Sequence, residues 1–115
     1  MGFDTSLWQR DQELLKAQIK ETSRALQAEV REKIAPIAQK YGLSWVLLIG
    51  SVAEERVHDE SDIDLLVPEL APETYWKLYG ELNATLPRIA HLQTAEDDSR
   101  AFERALKTGI FVYGK

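Results

Sequence analysis

Two aspartates near the middle of the chain are the residues best suited to chemistry. Asp62 and Asp64 alternate with Ile63 and Leu65 in the segment DIDLLVPE, residues 62–69. Successive side chains of a strand point to opposite faces, so the two carboxylates share one face with their Cα atoms ~6.7 Å apart. At an effective dielectric constant of about 20 they repel by roughly 2.5 kcal/mol. We therefore expect the pair to hold a cation, and Mg2+ suits two carboxylates combined with substrate phosphates.

A glycine and a serine follow the preceding apolar run, WVLLIG (45–50). Gly50 allows close backbone approach, the Ser51 hydroxyl can donate to a phosphate, and a helical turn starting at Val52 would direct free amides towards an anion. If the two strands are antiparallel neighbours, the end of the first lies beside the start of the second. Gly50 and Ser51 would then lie beside the carboxylates, an arrangement that favours a nucleoside triphosphate site.

Each half of this pattern also has an ordinary explanation. A Gly-Ser pair is usually a turn, and an Asp-x-Asp sequence is usually the solvated start of a strand. Both at this spacing, flanked by LLI and LLV, form a more specific pattern than either alone. The alternative that the residues leave open is a small mixed-sheet domain with an acidic strand end and no nucleotide.

Hydrophobic periodicity predicts the elements that position these residues. Apolar residues at three-, four- and seven-residue steps predict a helix from Leu7 to about Tyr41, and Pro36 predicts a kink or a restart near Ala35. The order helix, strand, strand, helix, strand, helix, strand predicts an α+β fold with a small mixed sheet packed against helices. The other predicted elements are strands at 45–50, 62–69, 88–94 and 110–114, a helix from Pro72 to Pro87, and a helix capped by Asp97 or Asp98 that continues through Lys107.

Composition is that of one small globular domain of 115 residues, with a net charge of −5 and no cysteine. The acidic balance argues against a general nucleic-acid binder, and the absence of cysteine excludes disulfides and thiolate metal sites. No apolar run approaches the ~20 residues of a membrane span. The N-terminus carries no evident secretory signal. We therefore expect a cytoplasmic protein.

The segment GSVAEERVHDESDIDLLV resembles the signature of the DNA polymerase beta superfamily of nucleotidyltransferases, which reads Gly-Ser, ten residues, Asp-x-Asp. The chain length, the preceding helix and the ending LKTGIFVYG are similar to the minimal nucleotidyltransferases of bacteria and archaea. The resemblance extends over roughly residues 28–114. It implies a polymerase beta-like nucleotidyltransferase domain at 28–115, and it leaves residues 1–27 as an N-terminal helical extension.

The resemblance implies roles for four residues. Gly50 and Ser51 would position the triphosphate of the substrate, ATP in the favoured case, and Asp62 and Asp64 would act in catalysis as ligands of Mg2+ in a two-metal site. The family reaction transfers a nucleoside monophosphate to a hydroxyl acceptor and releases pyrophosphate. Several minimal members are antitoxins that silence a small helical HEPN-type ribonuclease toxin by attaching AMP to a tyrosine. The implied partner is therefore a HEPN-type protein.

The sequence departs from the family pattern in two places. The family commonly reads Gly-Ser-x-Ala-x-Gly with a basic residue at a variable position, whereas here the loop reads GSVAEE and Glu55 occupies the position of the second glycine. The strand RIAHLQT lacks the third carboxylate of the family and has His91 at the nearest position, either as a metal ligand or as a packing residue. If this strand is parallel to the second, the acids at 96–98 lie beyond its far end. These departures favour an alternative, a weak or inactive subunit that neutralises or regulates a partner by binding.

The first half of the long helix is more polar than the second half. We expect it to project from the core or to dock on a second protein or a second copy of the chain. Trp76 lies on a predicted helix whose inward positions are already occupied by other apolar side chains. We therefore expect Trp76 to be exposed and available to a partner. No residue in the sequence is recognisable as a reader of the nucleobase.

Overall fold

A four-stranded sheet forms the centre of the computed structural model, which describes residues 5–115. The α+β order predicted from the sequence is confirmed, as is the long N-terminal helix. Within residues 5–115, no helix combines the length and the apolar character needed to cross a membrane. The elements are α1 (Thr5–Lys40), β1 (Trp45–Ile49), α2 (Gly50–Ala53), β2 (Ile63–Val67), α3 (Pro72–Thr85), β3 (Ala90–Thr94), α4 (Arg100–Leu106) and β4 (Ile110–Gly114).

The sheet is mixed, with the strand order β3-β2-β1-β4. β1 is antiparallel to both β2 and β4, and β2 is parallel to β3. The parallel pair requires a crossover connection, which α3 supplies. The end of β1 and the start of β2 therefore meet at one edge of the sheet, and the start of β3 lies at that same edge.

The two faces of the sheet pack against different helices. On one face, Val46 and Leu48 of β1 join the main core with residues of α1 and α3. On the other face, Trp45, Leu47 and Leu66 pack with Phe102 of α4. Strand alternation puts Asp64 on this second face, two residues before Leu66, where the short helix α4 leaves room beside the sheet.

The long helix α1 continues through Pro36 without a break, so the predicted restart near Ala35 is wrong. Pro36 lacks an amide donor and clashes with the preceding turn, which normally favours a kink. Here the residues on both sides of it, Ile34 and Ile37, are buried in the main core while Pro36 itself is exposed. Tertiary packing of the apolar face therefore offsets the loss of one helical hydrogen bond.

The helix α4 is capped by Ser99, so the predicted cap at Asp97 or Asp98 is wrong. The Ser99 hydroxyl accepts a hydrogen bond from the Phe102 amide at 3.1 Å. Asp97 instead accepts hydrogen bonds from Trp45 Nε1 at 2.8 Å and from Lys115 Nζ at 3.2 Å. The buried indole needs a hydrogen-bond acceptor, and this tertiary contact replaces the local capping role.

Candidate functional site

The two aspartates lie at the edge of the sheet where β1 ends and β2 begins. Asp62 immediately precedes β2, Asp64 is its second residue, and both side chains are partly exposed. In the strand register Asp64 lies opposite Ile49 of β1 and opposite His91 of β3. The carboxylates therefore face solvent between the last residue of one neighbouring strand and the start of the other.

Gly50 brings the backbone of the Gly-Ser loop directly against Asp64. Its φ of +78° lies in the left-handed region, which favours glycine. A β-carbon added at Gly50 would collide with the Asp64 carboxylate. Glycine is thus required here for two reasons, its backbone conformation and the close approach of the carboxylate.

Ser51 is held in place by the loop that follows it. Its hydroxyl donates to Ser61 Oγ at 2.8 Å, and the same oxygen accepts from the His58 amide at 2.9 Å. Ser61 is buried and directly precedes Asp62. A hydroxyl hydrogen can rotate between acceptors, so Ser51 can exchange this bond for one to a phosphate oxygen.

Arg88 fixes the other side of the same loop. Its Nη1 donates to the carbonyl oxygens of His58 at 2.7 Å and of Ser61 at 3.0 Å. Neither Arg88 nor Ser61 belongs to the sequence motif that predicts the site. Ser61 could have been noticed because it adjoins Asp62, whereas Arg88 is 27 residues from Ser61 and carries no local signal.

The two glutamates of the loop are paired with arginines. Glu55 Oε1 lies 3.1 Å from Arg24 Nε, and Glu54 Oε1 lies 3.1 Å from Arg56 Nη2. Glu55 has a left-handed φ of +59° at the position where the resembled family usually has its second glycine. The loop therefore keeps a glycine-like backbone conformation at this position, and its extra negative charges have cationic partners.

His91 contacts Asp62 directly, with Nε2 2.6 Å from Asp62 Oδ2. The imidazole is exposed and lies on the face of β3 opposite that of the buried Leu92. It does not pack into the core. Its observed role is a hydrogen bond to one of the two carboxylates.

Burial raises the pKa of the Asp64 carboxyl above its ordinary value. The charge of His91 acts in the opposite direction, and the charge of Asp62 raises the pKa further. A raised carboxyl pKa means that the ionised form is disfavoured in its surroundings. A cation bound beside Asp64 would favour the ionised carboxylate and so offset the effects of burial and of the Asp62 charge.

The donor set suits a hard divalent cation that also binds its substrate. Within the described part of the chain, no group of three or more His, Cys, Asp or Glu side chains is arranged to hold a metal ion. Mg2+ commonly takes only one or two carboxylates and completes its coordination with water and substrate phosphates. Asp62 and Asp64 fit that requirement. Asp97 does not contribute, since its carboxylate binds Trp45 Nε1 at the opposite end of β1.

Three solved structures share this fold with the chain. A toxin-antitoxin with AMP-PNP has 23% sequence identity and a TM-score of 0.62, covering 74% of this chain and 73% of the other. A mutant of the toxin-antitoxin MntA-HpeT with two aspartates changed to glutamate has 21% identity and a TM-score of 0.61, with coverages of 74% and 73%. A tri-AMPylated Shewanella oneidensis HEPN toxin in complex with an MNT antitoxin gives 21% identity, a TM-score of 0.58, and coverages of 77% and 73%.

A family model provides the match at the level of sequence. No curated protein matches the chain. The model described as "Polymerase beta, Nucleotidyltransferase" matches residues 32–115, which include Gly50, Ser51 and both aspartates. The chain therefore belongs to the polymerase beta nucleotidyltransferase family.

Proposed function

We propose that this protein is a Mg2+-dependent nucleotidyltransferase that transfers AMP from ATP to a hydroxyl group of a partner protein. The partner is a HEPN-type ribonuclease toxin, and the protein is its antitoxin. We place both in the cytoplasm, where ATP is available. In this proposal residues 28–115 form the catalytic domain, and residues 1–27 are an extension.

The contact between Gly50 and Asp64 carries this proposal. It joins an anion-binding type of loop to a carboxylate pair, so a triphosphate on the loop would lie within reach of a cation held by the carboxylates. The family match over residues 32–115 supports transferase chemistry. Two of the similar structures, one with AMP-PNP and one with an AMPylated HEPN toxin, support adenosine nucleotides and this class of partner.

The proposed reaction forms one bond and breaks one. The acceptor hydroxyl oxygen attacks the α-phosphorus of ATP, the bond from that phosphorus to the oxygen bridging to the β-phosphorus breaks, and pyrophosphate leaves with that oxygen. The hydroxyl proton passes to water. Gly50 and Ser51 would position the triphosphate, while Asp62 and Asp64 would hold the cation. Bound Mg2+ would neutralise phosphate charge and favour ionisation of the attacking hydroxyl.

The partner is proposed to dock on the projecting half of α1. Trp8 and Leu15 are 56% and 50% exposed there, and Leu14 is exposed beside them. A second copy of the chain is the other candidate for this surface. Trp76 on α3 is 64% exposed, as predicted from the sequence, and offers a separate contact point.

Labelled ATP mixed with the protein and its co-purified partner tests the proposal. We expect label on the partner when Mg2+ is present and none with the double variant Asp62→Asn plus Asp64→Asn. The matched control is Asp59→Asn plus Glu60→Gln, which removes two exposed acids just before the site. Label transfer that survives the first double variant would contradict the metal-binding role.

A second candidate function is a subunit of the same fold that silences its partner by binding alone. It is favoured by His91, which occupies the position of the expected third carboxylate and contacts Asp62 at 2.6 Å. Calorimetry and a pyrophosphate assay separate the two functions. Binding of ATP with Mg2+, without pyrophosphate release when the partner is present, would favour this second function.

A further inference from the structure

A cleft lies on the same face of the sheet as Asp64. Its floor begins at Ile49, which immediately precedes Gly50 and lies opposite Asp64 in the strand register. It extends to Leu66 and Gln93, which pair with each other two residues beyond Asp64 and His91. Strand alternation therefore places these side chains on the face that carries the carboxylates.

The helix α4 forms the opposite wall of this cleft. Ala101 and Arg104 line it from α4, and Thr108 follows that helix. The cleft has a volume of about 330 Å³, at the lower end of the range for small-molecule sites. This size suits one ring system with its attached sugar better than a whole nucleotide.

The chemistry of the lining differs from that of the Gly-Ser loop. Ile49 and Leu66 provide an apolar floor suited to a flat ring, whereas a phosphate would lose its hydration there without compensation. The exposed amide of Gln93 presents a donor and an acceptor side by side, the pair that matches the N6 and N7 edge of adenine. Arg104 adds a planar cation that can stack on a base. Among residues 5–115, none of the described side-chain hydrogen bonds engages Gln93 or Arg104.

We infer that this cleft, between the sheet face at Gln93 and the helix α4, holds the adenine nucleoside of the substrate. The inference rests on the proposed triphosphate site at Gly50 and Asp64. In a nucleoside triphosphate the sugar is joined to the α-phosphate. A triphosphate bound at the loop therefore places the nucleoside within one sugar length of the carboxylates. The cleft starts at Ile49, the residue before Gly50, which is where a sugar joined to the α-phosphate would have to lie.

Binding of ATP and of inorganic tripolyphosphate, each with Mg2+, tests the inference by calorimetry on the full chain. We expect Gln93→Ala to weaken ATP binding about tenfold, the loss of one paired base contact, and to leave tripolyphosphate binding unchanged. Ala101→Phe should fill the cleft and have the same selective effect. The controls are Gln39→Ala, an exposed glutamine on α1, and Glu103→Phe, which adds the same ring to α4 outside the cleft lining.

The outcomes distinguish the cleft from the triphosphate site. If the wild-type chain binds both ligands and neither variant changes the affinity for ATP, the nucleoside subsite is wrong and the triphosphate site stands. If the variants lose transfer to the partner while ATP affinity is unchanged, the cleft receives the acceptor, which also overturns the inference. If the wild-type chain binds neither ligand, the triphosphate site and the subsite both fail.

Discussion

His91 Nε2 lies 2.6 Å from Asp62 Oδ2, a contact between residues 29 positions apart. The parallel register of β2 and β3 also places His91 opposite Asp64. A hydrogen-bonding imidazole thus occupies the position where the resembled family has a third carboxylate. It forms a hydrogen bond with Oδ2 of Asp62, one oxygen of a proposed metal ligand.

Replacement of His91 by aspartate should make the stability of the protein depend more strongly on bound Mg2+. We expect His91→Asp to destabilise the metal-free protein by roughly 1–3 kcal/mol, because a third carboxylate beside Asp62 and Asp64 adds like-charge repulsion. Mg2+ should then raise the melting temperature of the variant more than that of the wild type. Melting curves in EDTA and in Mg2+ measure both effects.

The control for this charge change is Gln39→Asp, which adds one aspartate at an exposed position of α1. The increase in melting temperature that Mg2+ causes should be the same in Gln39→Asp as in the wild type. Equal shifts in His91→Asp and the wild type would contradict a cation site at the two aspartates.

Alanine at Gly50 should damage both stability and nucleotide binding. The left-handed φ of +78° and the collision with the Asp64 carboxylate predict a loss of about 1–3 kcal/mol in the free energy of unfolding. The loop must also move away from the carboxylates, so we expect the stabilisation by ATP with Mg2+ to decrease. Urea denaturation with and without ATP measures the two effects.

Gly80 provides the matched control for this substitution. It lies inside α3, where an added β-carbon meets no atom within 4 Å. Gly80→Ala should therefore stabilise the protein by about 0.5–1 kcal/mol. A Gly50→Ala variant that is as stable as Gly80→Ala and binds ATP normally would show that the close approach is unimportant.

Loss of the Arg88 side chain should loosen the loop that precedes Asp62. Arg88→Met removes two hydrogen bonds to loop carbonyl oxygens and keeps part of the apolar stem. Because the guanidinium is partly exposed, we expect a cost of only about 1 kcal/mol in stability. Hydrogen exchange of the amides of residues 58–61 should become faster, and Lys77→Met on the exposed side of α3 should leave it unchanged. Unchanged exchange in Arg88→Met would contradict the bracing role.

The carboxyl group of Asp97 should make the protein lose stability at acid pH. Hydrogen bonds from Trp45 Nε1 and then from Lys115 Nζ hold the pKa of Asp97 below its ordinary value. A carboxyl with a lowered folded-state pKa adds stability above its unfolded-state pKa, and that stability is lost as the pH falls through the folded-state pKa. Below a pH of about 4, the wild type should therefore lose more stability than Asp97→Asn.

The neighbouring acid Asp98 is the control for this pH effect. Asp98→Asn should follow the wild-type pH curve, since Trp45 Nε1 and Lys115 Nζ donate their hydrogen bonds to Asp97. Melting temperatures between pH 2 and pH 6 compare the three proteins. Parallel curves for the wild type and Asp97→Asn would show that the Asp97 contacts are too weak to matter.

Local sequence determined the elements and the spacing of the candidate site. The period of 3.6 residues predicted α1, and the alternation of Asp62 and Asp64 with apolar residues predicted both carboxylates on one face of the chain at the start of β2. The Gly-Ser pair at the end of β1 was likewise readable from its position. Each of these features involves residues close in sequence, so the regular geometry of a helix or a strand is sufficient to predict it.

Tertiary structure decided which distant residues meet these carboxylates. The contacts of His91 with Asp62 and of Arg88 with Ser61 span 29 and 27 residues. The cleft beside Gln93 likewise depends on where α4 crosses the sheet. Strand register and helix packing are set by the burial of whole faces, in which many side chains compete. For the same reason, Pro36 remained within a continuous helix and Asp97 bonded Trp45 instead of capping α4.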